Sequence, residues 1–467
     1  MVHSRLFALF LTTTAAALMA AERPAEACGG CFVPPENATV VTDHRMILAV
    51  DTGKTTLYDQ IRYRGLPEQF AWVLPIAGEV DVGLSADTLF SVLGGLTQTQ
   101  VTAPPRNCPS PSDCTRKLSA SGGRESFGSS DNSPSPAPKS PEVTVTREET
   151  VGPYATVQLQ SENAEALNQW LADNGFAIPG DVKPIIAAYV KEHFNFLAMK
   201  LRPGASVQSM RPVRVTTRGP ATVLPLRMVA AGTGAVVGIT LWTVGQGRYE
   251  PTNFPLFSIR QEELSWDWLT STSDFKDLRD QRAAPLGGRG WELESSLGLS
   301  IPRVRQAVQF TGRQTGGTAS TSDYAEVPPV DGKPGKTVDQ VREEDLDTIF
   351  GKGTGEIRVT RFRSDVAHSA LTEDLVLAAS ADQSVFSNLR AVKKEKNEPL
   401  CPVYDGCNVV GNAPRSEAER RMGKSADLGG GSCSTSSASA TSAGLFAAGL
   451  GILALSALRR NRRPSSR

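Results

Sequence analysis

The chain is predicted to be an α+β protein with a mainly antiparallel β-sheet and grouped helices, framed by an N-terminal signal peptide and a C-terminal hydrophobic helix. Three observations predict this. Strand-like segments recur through most of the 467 residues, either alternating apolar with polar or running continuously apolar. Segments with helical spacing cluster at 163–193 and 338–350, whereas a parallel βαβ sheet places one helix after each strand. The two ends differ in composition from everything between them.

At the N-terminus, Arg5 precedes an apolar run from Leu6 to Ala21 and a small-x-small site, Ala25-Glu26-Ala27, immediately before Cys28. This is the pattern of an export leader, residues 1–27. Lipid modification of Cys28 is the rival reading, but Ala25 stands where lipoprotein processing prefers a bulky aliphatic residue.

The exported body begins at residue 28, and its first part runs to 103. Between Thr39 and Val82 the pattern is β: in "TTLYDQIRYRG", Leu57, Ile61 and Tyr63 share a face, and "FAWVLPI" is a continuous apolar strand. Ser85 is the expected N-cap of a helix carrying Leu89, Val92, Leu93 and Leu96. Residues 104–141 then turn rich in Pro and Ser, with Phe127 their one aromatic residue. Such a stretch cannot bury enough apolar surface to offset its ordering entropy, so it is expected to be a disordered insert.

The main part of the body, 142–380, opens with the strand "VTVTREETVGPYATVQLQ". Two helices are expected next, Asn163 to Asn174, stopped by Gly175, and Asp181 to His193, with Pro184 in its first turn. His193 shares a face with Ile186, Tyr189 and Val190, so a core histidine is expected there. The strands "FNFLAMKLRP", "RPVRVTT", "TVLPLRMVA" and "VVGITLWTVG" follow, then a helical patch around Trp266 to Asp280 and a Gly/Thr/Ser loop over 312–336. A short acidic helix near Val338 to Phe350 and the strand "GEIRVTRFRSD" complete it, and 381–432 is expected to be a linker holding a cysteine pair.

The last segment, 433–467, reads "CSTSSASATSAGLFAAGLGILALSALRRNRRPSSR". Its uncharged run from Ala443 to Leu458 falls just short of a comfortable membrane span, and the Arg cluster behind it belongs on the cytoplasmic side. A Cys in a Gly/Ser stretch, a short Ala/Leu/Gly helix and a terminal Arg cluster resemble the sorting tail of myxobacterial surface proteins, the MYXO-CTERM type. That resemblance implies that Cys433 is the retained anchor, and that the membrane and a sorting or processing protease are partners of the tail. The bland alternative is a plain tail anchor with an incidental cysteine.

The seven cysteines fall as Cys28/Cys31, Cys108/Cys114 and Cys401/Cys407, with Cys433 left over. In an oxidising compartment three close pairs suggest three local disulfides. For Cys28-Gly-Gly-Cys31 a redox pair is the sharper reading, but Phe32-Val33-Pro34-Pro35 follows, and such a sequence does not open a helix with the pair at its mouth. A zinc site needs two further ligands in a chain with only four His.

The body also resembles a bacterial family of unknown function, numbered 2330. "CGG" at the mature start, "FAWVLPI", "VGPY", "LNQWLADNGFAIP", "YVKEHFNFLAMKL" and "VTRFRSDVAHSALTEDLVL" occur in that family's order over roughly residues 28–380. The resemblance implies an exported protein and brings no catalytic residues with it.

No chemistry-bearing motif emerges. Basic and acidic residues balance at 49 each, and five of the basic ones crowd the C-terminal tail, so the body lacks the clustered positive charge that nucleic acid requires. "GKPGKT" at 332–337 ends like a phosphate loop, but Val330 stands where its first Gly belongs. A Ser-His-Asp arrangement would need His44, His193 or His368, and none has a nucleophile-elbow context. Asp365 and His368 could pair at helical spacing, with a surface ion pair as the blander account. No catalytic, cofactor or metal residue is therefore assigned. The expected function is a surface-anchored structural or interaction module, with an exported hydrolase of unrecognised acidic or His-containing site as the alternative.

Overall fold

The computed structural model describes residues 31–32, 40–64, 71–111, 143–176, 180, 182–205, 210–230, 235–314, 323–327, 329 and 334–428. The leader, Cys28, Cys114, most of the Pro/Ser insert, Cys433 and the tail lie outside these residues, as does any bridge between Cys28 and Cys31.

Two sheets form the centre of the molecule. The larger has eight strands, in the order Leu256–Phe257, Trp291–Ser300, Glu356–Ala367, Val236–Gly245, Val40–Val50, Lys54–Arg64, Val213–Arg218 and Val80–Leu84. It is mixed: Val236–Gly245 runs parallel to Val40–Val50, Leu256–Phe257 runs parallel to Trp291–Ser300, and the other pairs are antiparallel. The smaller sheet is wholly antiparallel, ordered Cys31–Phe32, Ala71–Ile76, Asn195–Leu201, Tyr154–Gln160 and Thr144–Val151.

Side-chain alternation stacks these sheets into four layers. Met46, Leu48 and Val50 of the large sheet pack in one core with Trp72, Leu74, Leu197 and Met199 of the small sheet. The opposite parity of the small sheet, Ala71, Val73, Phe196 and Ala198, packs under helices Ala164–Asp173 and Lys183–Lys191. On the far side, Ile47, Ala49, Tyr58 and Trp242 pack under Asp87–Thr97, Ile301–Gln314 and Val338–Phe350. The strand period of two thus lets each sheet bury both faces. The α+β class holds, with eight α-helices among the described residues and one mixed sheet beside the antiparallel one. None of the described helices is long and apolar enough to cross a membrane.

Several helix ends follow their sequence signals. Asn163 Oδ1 accepts from the N–H groups of Glu165 and Ala166, and Gly175 takes φ +80° after the last turn. Thr337, the end of "GKPGKT", caps Val338–Phe350 through a capping box with Gln340.

Other expectations are corrected. Ala86, not Ser85, is the N-cap of Asp87–Thr97, because the Ser85 hydroxyl is drawn away to Asp345. Leu96 of that helix is exposed. His193 is not in the core: its helix ends at Lys191, and His193 sits exposed at φ 61° in the C-terminal turn, its N–H bonded to the Val190 carbonyl. In "TVLPLRMVA" Pro225 ends a two-residue strand and the chain turns into the short helix Leu226–Val229. Trp266 lies on a strand, Ser265–Asp267, and helix begins only at Phe275. Helix Ile301–Gln314 was not foreseen. Asp365 pairs with Arg279 at 2.6 Å, while His368 lies beyond the strand end, exposed.

The 381–432 segment is not simply a linker. It contains the hairpin Leu400–Asp405/Asn408–Pro414 and the helix Arg415–Leu428. This changes the cysteine pairing. Cys108 bonds Cys401, 293 residues away, so Cys108–Cys114 and Cys401–Cys407 are not the bridges. Cys401 begins the hairpin and Cys407 sits at its turn. At the rise of an extended strand they stand roughly 15 Å apart, beyond the reach of one disulfide. Cys407 is also disulfide-bonded.

Candidate functional site

A cavity lined by ionisable as well as apolar groups lies between the two sheets. The pairing of Val40–Val50 with Lys54–Arg64 sets Met46 opposite Asp59 and His44 opposite Ile61, so His44 and Asp59 are diagonal neighbours. Both project from the apolar face that carries Met46 and Leu57. His44 Nδ1 lies 2.8 Å from Asp59 Oδ1, with the residues 1% and 4% exposed. At this depth an unpaired carboxylate would be costly, which is the physical reason for the pairing.

Trp72 and Leu74 of the small sheet form the second wall, and Leu224, Pro225, Leu226, Met228 and Val229 form the third. The cavity they line is small, about 20 Å³ measured as space open to the centre of a water molecule. That is room for about one water. A polar His–Asp pair in an otherwise apolar chamber can orient a water or hold a proton. No Ser, Thr or Cys lines the chamber, so the arrangement is not that of a nucleophile triad.

The third wall is braced from outside. Arg227 donates both terminal nitrogens to Glu192, at 2.7 and 2.6 Å, and one of them also to Asp374 at 2.7 Å. Its guanidinium lies 4.1 Å from the Tyr189 ring centre, and the Tyr189 hydroxyl donates to Asp374 at 2.6 Å. Hydrogen bonding from Arg227 holds the Glu192 carboxyl below its ordinary range, while burial and Asp374 push the Tyr189 hydroxyl far up.

A second charged group underlies the far end of the large sheet. Glu292 is 1% exposed, accepts from Arg279 Nε at 2.9 Å, and neighbours Glu294, which pairs with Arg361. Burial, then the Glu294 charge, outweighs Arg279 and pushes the Glu292 carboxyl up to about 7. Arg361 and Arg45 both approach the Trp242 ring, whose Nε1–H donates to Thr97. Among the described residues no group of three or more His, Cys, Asp and Glu is arranged to hold a metal.

Of the residues singled out in the sequence, the structure joins Cys108 to Cys401 and leaves His193 and His368 exposed. The His44–Asp59 pair was missed. Its signal was present: each interrupts an apolar face of period two, His44 before Met46 and Leu48, Asp59 between Leu57 and Ile61.

The comparisons add one match. A family model described as an uncharacterized protein conserved in bacteria, DUF2330, matches residues 23–326. No curated protein matches, and no solved structure does. The matched stretch stops before Glu356–Ala367, although that strand lies inside the large sheet between Val236–Gly245 and Trp291–Ser300.

Proposed function

The chain belongs to the DUF2330 family of uncharacterized bacterial proteins, and from that premise we propose that it is an exported, surface-anchored structural or interaction module. The observation that carries this reading is the Cys108–Cys401 bridge. A cross-link between segments so far apart in sequence suits an oxidising compartment, since cytosolic thiols are kept reduced. The leader and the Cys433 tail supply entry and retention, with the membrane and a processing protease as the tail's partners. The test is display on intact cells. Surface labelling should reach the wild-type protein, and Cys433→Ser should release it or hold it at the inner membrane. Unchanged display of that variant, or a body found reduced inside the cell, would sink the proposal.

The second reading, an exported hydrolase, draws support from the His44–Asp59 pair beside a water-sized cavity. Screening hydrolytic substrates against the wild type and His44→Gln tests it. Activity that survives His44→Gln unchanged would remove this pair from the chemistry.

A further inference from the structure

We infer that the wall formed by residues 224–229 is a latch, held shut by Arg227, that controls access to the His44–Asp59 pair. This goes beyond both functional readings and holds for either. The wall is a single short stretch of chain, and every residue it contributes to the cavity is apolar: Leu224, Pro225, Leu226, Met228 and Val229. What it covers is polar. Opening it would rehydrate a buried imidazole and carboxylate, which offsets part of the cost of exposing Leu226 and Val229. Against opening stand the packing of Leu224, Leu226 and Val229 between the sheets and of Met228 beneath the helices, together with the polar fastenings of the segment.

Those fastenings are few. On one side Val223 and Leu224 pair with Val376 and Leu375 in a two-residue strand contact. On the other, Arg227 reaches away from the cavity to Glu192, Asp374 and Tyr189, and its own N–H donates to Asp374 Oδ1 at 3.1 Å. Asp374 is nearly buried and its carboxylate accepts three hydrogen bonds, but Glu192 is 44% exposed on its side chain. Half of the clamp is thus open to solvent and can be released without entering the core. A locally low opening free energy is the expected consequence.

Histidine carbethoxylation of the full-length protein, read residue by residue by mass spectrometry, tests the latch. His368 is exposed and is not itself a member of the clamp, although it stands six residues before Asp374, and it serves as the internal reference once its own rate is found unchanged in the variants. In the wild type His44 should react much more slowly than His368. Arg227→Ala should raise His44 labelling at least about threefold relative to His368, at a temperature well below unfolding. Glu192→Gln, which removes only the exposed partner, should raise it less. Should Arg227→Ala fail to fold, Glu192→Gln decides alone, because an exposed carboxylate is dispensable for folding. Unchanged His44 labelling in a folded variant, or wild-type labelling as fast as at His368, overturns the latch.

Discussion

Ser85 Oγ donates to Asp345 Oδ2 at 2.6 Å across 260 residues of chain. Asp345, fully buried, also accepts from Tyr324 at 2.8 Å and from Arg214 at 2.9 Å, and the Tyr58 hydroxyl donates to its main-chain oxygen at 3.3 Å. Arg214 reaches it by lying across Gly83, where a Cβ would stand 2.4 Å from Arg214 Nε. One carboxylate thereby joins helix Val338–Phe350 to the edge of the large sheet. Burial pushes its pKa up, and Arg214, Ser85 and Tyr324 oppose that shift.

Removing one donor should cost less than removing the hub. Ser85→Ala is expected to lower stability by roughly 1–3 kcal/mol, the range for a buried hydrogen bond to a charged group. Asp345→Ala leaves Arg214 without its buried partner and should cost about 3–5 kcal/mol. Denaturant midpoints with unchanged slope check both, and equal losses would show that Asp345 is not the hub.

Glu292 gives stability a pH dependence. Its folded-state pKa, about 7, lies above the ordinary 4.5, so protonation favours the folded protein. Its stabilising contribution is full below pH 4.5 and is lost as pH rises through 7. The span is at most roughly 3 kcal/mol. Glu292→Gln should flatten this slope, seen as a melting curve that loses less between pH 5 and 8 than the wild type. Parallel pH profiles would refute the assignment.

The long-range bridge should matter more than a short staple would. Closing a loop of 293 residues restricts the unfolded chain by on the order of 5 kcal/mol in the entropic account, an upper figure. Because a Cys407–Cys114 bridge would close nearly the same loop, the variant that replaces Cys108, Cys401, Cys407 and Cys114 together by Ser should lose several degrees of melting temperature, and the Cys108/Cys401 double variant less. Peptide mapping without reduction should recover Cys108 linked to Cys401 and Cys407 linked to Cys114, whose six-residue offset from Cys108 matches that of Cys407 from Cys401. A Cys401–Cys407 peptide would contradict the fold described above.

Gly288 takes φ +72°, and a Cβ there would stand 2.3 Å from the Ala367 Cβ and 2.8 Å from its nitrogen. Backbone cannot yield as a flexible side chain can. Gly288→Ala should therefore destabilise by more than about 1 kcal/mol, the ordinary cost of an alanine in a left-handed position. A neutral effect on the denaturant midpoint would show that the turn relaxes freely.

Local order was legible in the sequence wherever it depends on neighbours along the chain. The apolar period placed Ala71–Ile76, Val236–Gly245 and Glu356–Ala367, and Asn163 and Gly175 bounded a helix by their own backbone chemistry. What only the tertiary structure decided was partnership. Ser85 reads as a cap until Asp345 arrives from 260 residues away, Cys401 reads as half of a local pair until a hairpin separates it from Cys407, and His193 reads as core until its helix ends early. Asp59 and His44 each interrupt an apolar face of period two, but only strand register makes them neighbours. Periodicity reports which face of an element is apolar, whereas contacts between distant elements depend on how whole layers dock, and no window along the chain contains that information.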